Sequence, residues 1–275
     1  MDISINQLEM PKASASAAVA LDIISSDTPD FKQLEKAIMQ DPFLASTLIR
    51  YANSPLNRRA QAVTNVPSAI QLLGLKSVRS AVVTATIRSL LPAESDTGLA
   101  ILNHLLNISV VCKLIARQCC RSASDDLEFL GLVHDVGMLV LAANYQRSYD
   151  KLLALSVSQN KPLDILEQEE FGLTHDAVTG RAAEEFRLPQ SHIALLKNFH
   201  HRSPLQALAG EKERDIAILS LAHGVMKEVD TNKFPLISET MLESSSQLQE
   251  LLALSDEQLD QIMTEAREPL AVTIV

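Results

Sequence analysis

The pair His134-Asp135, within Val133-His134-Asp135-Val136-Gly137-Met138, sets an imidazole beside a carboxylate. On a helix these are two metal-compatible side chains that can converge on one ion. His104 precedes the pair, and His175, the adjacent His200 and His201, and His223 follow it. Six of the seven histidines therefore form one spaced series through the centre of the chain. Neutral imidazole is a good ligand for zinc, iron, nickel or copper. Hydrolysis at such a centre needs a water made nucleophilic by the ion and an open coordination position. Without an ion the histidines must stay neutral or hydrogen-bonded, because clustered buried imidazoliums repel one another.

The elements that must position these residues are helices. Apolar residues recur at helical spacing over 13–25, 31–39 and 42–53, and Asp41-Pro42 supplies a capping acceptor with a proline at the first helical position. Val66-Pro67 opens a helix that Gly74 interrupts as a C-terminal cap, and a second segment runs over 76–91. The spacing predicts a long helix over 99–120, with His104 at the edge of its apolar stripe. A helix over 127–136 follows, capped by Ser124-Asp125-Asp126 and ended by Gly137. Further helices are expected over 145–159, 163–171, 174–186, 189–201 and 215–229, then two short ones over 239–268 split near Ser255-Asp256. Alternating strand patterns are absent. Gly131 reads as a close-packing position, and Thr174 and Asp176 as helix-start residues.

Composition agrees with an all-α chain. Of the 275 residues 47% are hydrophobic, enough for a sizeable core, while Gly (8), Tyr (3) and Trp (0) are scarce. A formal net charge of −10 argues against broad binding to nucleic acid or to an anionic membrane. No unbroken apolar run approaches a spanning helix, and residues 1–12 lack the pattern of a signal peptide. Cys112, Cys119 and Cys120 form no disulfide framework, so buried structural thiols and a cytoplasmic location are expected.

The stretches Ile38-Met39-Gln40-Asp41-Pro42-Phe43-Leu44, Asn53-Ser54-Pro55 and Ala69-Ile70-Gln71-Leu72-Leu73-Gly74 resemble the N-terminal half of HDOD domains, bacterial relatives of the HD phosphohydrolases. Gly131-Leu132-Val133-His134-Asp135-Val136-Gly137 resembles that family's central signature. Thr174-His175-Asp176-Ala177-Val178-Thr179-Gly180, Leu188-Pro189 and His200-His201 resemble its later markers. The resemblance implies a two-lobed helical bundle. Its parts would be an N-terminal lobe over 10–92, an HD-like lobe over 93–230 carrying the His/Asp cluster, and a C-terminal helical extension over 231–275.

It also implies a metal pocket. His104, His134 and Asp135 match the ligands of HD enzymes, and His175, His200 and His201 match the extra histidines of binuclear relatives. The last ligand of the family is an aspartate in an Ala-Asp context, which here reads Leu221-Ala222-His223. Asp135 is then the one carboxylate in the matched set. That balance favours a transition metal (Fe, Mn, Zn or Ni) over Mg. Related cyclic-dinucleotide phosphodiesterases carry a phosphate-contacting lysine where this chain has Met138, and their Gly-Tyr-Pro motif is missing, which excludes that activity. Arg58, Arg59, Lys76 and Arg79 read as a solvated basic face, and His192 matches no marker.

Two functions are therefore expected to compete. The first is a signal-transduction module that binds a signalling protein or a small phosphorylated ligand, with no nucleic acid or membrane partner. It would have no separate receiver or output domain and no robust hydrolase activity. The second is a metal-dependent phosphohydrolase acting on a nucleotide or other phosphoester, with His134 and Asp135 as its catalytic residues.

Overall fold

The computed structural model describes residues 3–57, 60–91, 95–186, 188, 190–197, 199–201, 211–229 and 245–267, and all its regular elements are helical. The chain divides into two compact units, one of residues 11–90 and one built mainly from residues 91–268.

The smaller unit holds α1 (Ala15–Ile24), α2 (Phe31–Met39), α3 (Pro42–Ala52) and α4 (Val66–Arg88). Its core is formed by Leu21, Leu34, Ile38, Leu44, Leu48, Tyr51, Ile70 and Val82. Asp41 caps α3 as expected, accepting from the backbone N–H groups of Phe43 and Leu44 at 3.0 and 3.1 Å. It also accepts from the Ser14 hydroxyl at 2.8 Å, while Ser14 itself caps α1. Gly74 interrupts α4 with φ of 71°, in the left-handed region that glycine enters without penalty. Lys76 is exposed and Arg79 half-buried, while Arg58 and Arg59 lie outside the described residues.

The larger unit is organised around α5 (Asp96–Cys119), against which α6 (Ser124–Val133), α7 (Val136–Asn144), α12 (Glu211–Val229) and α14 (Asp256–Ala266) pack. By length and composition α5 could cross a bilayer, a property that a scan for unbroken apolar runs misses. Most of its apolar window is buried inside the fold, as in a core helix. Gly131 lets α6 approach α5 closely, since a Cβ there would lie 2.9 Å from the Ser109 Cα. The remaining helices are α8 (Gln146–Gln159), α9 (Leu163–Phe171), α10 (His175–Glu185), α11 (Gln190–Leu196) and α13 (Ser245–Leu251), with a 3-10 turn at Phe199–His201. The expected helix over 189–201 is thus a short helix followed by that turn. Ser255 and Gln258 form a reciprocal capping box at the start of α14. Residues 239–244 of the expected C-terminal helices lie outside the described residues.

Three expectations about the central segment are corrected. Gly137 does not end a helix. It stands in the first turn of α7, and α7 occupies residues where no helix is expected before 145. Residues Val136–Ala142 are buried on every side, so they carry no apolar periodicity. The need for glycine is steric: a Cβ on Gly137 would collide with the His175 carbonyl oxygen and lie 2.7 Å from the Thr179 nitrogen. His134 and Asp135 are not inside one helix. They form the junction between α6 and α7, His134 as the last cap of one and Asp135 as the first cap of the other. Finally, Ser124 does not cap α6. Ala123 occupies that place without a side-chain bond, and Asp125 and Asp126 lie in the first turn, where the helix dipole favours negative charge.

Candidate metal centre

The break between α6 and α7 turns His134 and Asp135 towards each other, with Nε2 of His134 at 2.9 Å from Oδ2 of Asp135. From α5, His104 brings its Nε2 to 3.6 Å from the same oxygen. From α12, His223 places its Nε2 at 3.1 Å from Nε2 of His134. The other carboxylate oxygen faces a second pair. Oδ1 of Asp135 lies 3.9 Å from Nε2 of His175, at the start of α10, and 3.7 Å from Nε2 of His200, in the 3-10 turn.

Two groups with metal-ligating geometry result among the described residues. One is His104, His134, Asp135 and His223, and the other is Asp135, His175, Asp176 and His200, with candidate ligand atoms within 4.8 Å of one another in each. Asp135 belongs to both. Of the residues expected to meet, only His201 is not placed, because its side chain lies outside the described residues. His192 stands apart on α11, 3.9 Å from Asp215.

Behind the second pair are two carboxylates that the expected ligand set lacks. Glu167 on α9 accepts from both the backbone N–H and the ring Nδ1 of His175, at 2.7 and 2.6 Å. Its other oxygen accepts from the Tyr149 hydroxyl at 2.6 Å. Asp176 makes the same two-point contact with His200, at 3.0 Å to its backbone N–H and 2.6 Å to Nδ1. Asp176 is therefore more than a helix-start residue, although it does lie in the first turn of α10, which Thr174 caps. On the other side, Nδ1 of His134 lies 2.7 Å from the Gly131 carbonyl oxygen and donates to it. In each of these three histidines a proton held on Nδ1 leaves the Nε2 lone pair facing the cluster, as ligation requires.

The charge states suit a cation. Burial works against a charge on Asp135, but His134 and His200 hold its carboxyl well below the ordinary range. Burial also keeps His104 neutral to lower pH than usual, and it acts on His223 still more strongly, aided by the nearby His134 and His104. His175 differs. Burial pulls it down, yet the Glu167 carboxylate outweighs this and pushes it up to about 10. Asp135 is fully buried, and among the described residues no donor reaches either of its oxygens with hydrogen-bond geometry. A buried carboxylate beside imidazoles that burial keeps neutral, as it does His104 and His223, is a costly arrangement that a bound cation relieves. The residues present therefore fit a divalent transition metal, held by nitrogen donors and a shared carboxylate.

Glu167 carried one signal in the sequence: a carboxylate among Leu163, Leu166 and Phe171, all buried on α9. A charged residue on an apolar face needs a partner. The cysteines are all free, Cys112 buried and Cys119 and Cys120 half-buried with sulfurs 3.7 Å apart.

Comparison with known proteins sets this geometry among relatives. The sequence pattern of the HDOD domain matches residues 10–203. An uncharacterized protein of Treponema pallidum (strain Nichols) is 21% identical over 213 residues, or 72% of this chain, and the chain spans 41% of the length of that relative. The solved structure of a candidate phosphohydrolase from Shewanella amazonensis shares the fold, with a TM-score of 0.73 and 16% identity over 98% of this chain and 94% of that one. The MmoQ response regulator of Methylococcus capsulatus is 25% identical, with a TM-score of 0.52 over 92% of this chain and 97% of that one.

Proposed function

Because the chain belongs to the HDOD domain family, we propose that it is a regulatory module built around a divalent-metal centre. It acts by binding a signalling protein or a small phosphorylated ligand, without robust hydrolysis. His104, His134, Asp135 and His223 would hold one ion, and Asp135, His175 and His200 a second, with Asp176 behind them because both its oxygens already accept from His200. An ion there supplies Lewis acidity and rigidity to the junctions between α6 and α7 and between α9 and α10.

The carrying observation is burial. His134, Asp135, His175 and His200 have no solvent exposure, which leaves little room for a phosphoester to reach the ions. Two substitutions point the same way. His223 stands where the resembled enzymes place an aspartate, and the fully buried Met138 stands where some place a phosphate-contacting lysine. The likeness to a response regulator supports the signalling role. One observation favours the hydrolase alternative: His104 and His223 are not fully sealed, the His104 side chain keeping 9% exposure, so one edge of the centre lies near solvent.

Purifying the protein without a histidine tag, beside a His134→Ala variant, separates these readings. Near-stoichiometric metal that the variant loses, with no turnover across nucleotide and model phosphodiester substrates, is the expected result. Metal-dependent turnover lost in the variant would replace the module with the hydrolase. Absence of metal after reconstitution with Fe, Mn, Zn and Ni would remove the centre from either account.

A further inference from the structure

The two halves of the centre are held in different ways. Each histidine of the His175–His200 half is gripped twice by one carboxylate, at its backbone N–H and at its ring Nδ1. The grip fixes ring orientation and tautomer together, because the backbone contact anchors the carboxylate to the same residue whose ring it aims. Glu167 is held in turn by the Tyr149 hydroxyl, and Tyr149 stacks on Phe171, with ring centroids 6.4 Å apart. Glu167, Asp176, His175, His200, Tyr149 and Phe171 are all fully buried. In the other half, His134 is oriented by a neutral backbone carbonyl, and His104 and His223 retain some exposure.

We propose that Glu167 and Asp176 are positioning carboxylates that make the His175–His200 half the tighter of two unequal ion sites. The assignment rests on the metal-centre reading above and specifies which side fills first. A carboxylate accepting from a ligating imidazole fixes its orientation and raises its basicity, and loss of such a partner typically costs roughly 10–100-fold in metal affinity. The two outer carboxylates also supply negative charge beside an ion that otherwise meets only Asp135. That charge offsets the cost of bringing a divalent cation into a buried site.

The test titrates the full untagged chain with Zn2+ against a chelator of known affinity and follows the histidine ring nitrogens by NMR. Wild-type protein is expected to take up Zn2+ in two steps, the His175 and His200 resonances shifting in the first and those of His104 and His223 in the second. Glu167→Gln keeps the shape but removes the charge. It is expected to weaken the first step by roughly 10–100-fold, to leave the second step unchanged, and to shift the His175 Nδ1 signal of the loaded protein.

A purely structural role would instead lower both steps together with the melting temperature of the metal-free protein. Tyr149→Phe removes only the donor to Glu167 and is the fallback if Glu167→Gln does not fold. About a fivefold weakening confined to the first step is expected, less than the full loss of a hydrogen bond to a charged group, because the effect reaches the ion only through Glu167 and His175. Uptake that begins at His104 and His223, or a first step unmoved in both variants, overturns the assignment while leaving the metal centre standing. No Zn2+ uptake by wild-type protein overturns the centre and the assignment together.

Discussion

The His175–His200 side and the His104–His223 side of Asp135 use the same donor atoms but differ in what stands behind them. On the first side each imidazole is backed by a carboxylate and sealed from solvent, and a proton is bound so firmly that His175 stays charged up to about 10. On the second, burial and mutual repulsion keep His104 and His223 neutral, and both sit at a partly open edge. The difference teaches that two sides with like donor atoms need not hold an ion equally well. The outer shell decides how strongly a site is pre-ordered and what proton an ion must displace to enter.

The largest effect that separates the two sides should come from Gly137→Ala. The new Cβ would push against the His175 carbonyl and Thr179, so α7 and α10 must part. A loss of about 1–3 kcal/mol is expected from overpacking, read as a fall in melting temperature. Zn2+ should be lost from the His175–His200 side first, and equal loss from both sides would break the comparison.

A second test is pH. The His175 proton is bound more firmly folded than unfolded, so in the metal-free protein its pairing with Glu167 stabilises fully below about 6.5 and fades as pH rises through about 10. An entering ion must expel that proton. Zn2+ affinity on this side should therefore rise with pH over that window, as followed by chelator competition, and its lead over the other side should be smallest at the acid end. The other side, with neutral histidines, should show a much flatter profile above neutral pH.

His223→Asp sharpens the comparison from the opposite direction. It restores the carboxylate of the resembled enzymes, and it should raise Mn2+ affinity about tenfold on the open side only, or about 1.4 kcal/mol. Isothermal titration with Mn2+ checks this, and a gain on both sides would mean that the two are not distinct. The smallest effect belongs to His192→Ala. Its 3.9 Å approach to Asp215 is a weak, part-exposed pair, so stability should move by less than about 0.5 kcal/mol and ion uptake not at all.

Much of the fold was legible because its signals are local. Asp41-Pro42 and Gly74 act within a single turn, through a cap and a backbone angle, and both do in the structure what their residue types require. The start of α7 was not legible. An element buried on all sides shows no period, and glycine in its first turn reads as a stop unless the opposing His175 carbonyl is known. In the candidate site, the histidines and Asp135 could be picked out by type and order. Glu167 showed only as a carboxylate on an apolar face and Tyr149 not at all, since packing alone brings Glu167 of α9 to His175 and Tyr149 of α8 to Glu167. Asp176 was visible as a helix-start residue, yet its bond to His200 spans 24 positions and exists only in the folded chain.

Asp135 is the one residue common to both sides, so the decisive measurement is the number of ions bound per chain, counted by native mass spectrometry with and without it. Wild-type protein reconstituted with Zn2+ should carry two ions, one for each group that shares this carboxylate. Asp135→Ala, with its fold confirmed by circular dichroism, should carry none with comparable affinity. A wild-type chain that takes up no ion, or an Asp135→Ala chain that keeps both, would contradict the account.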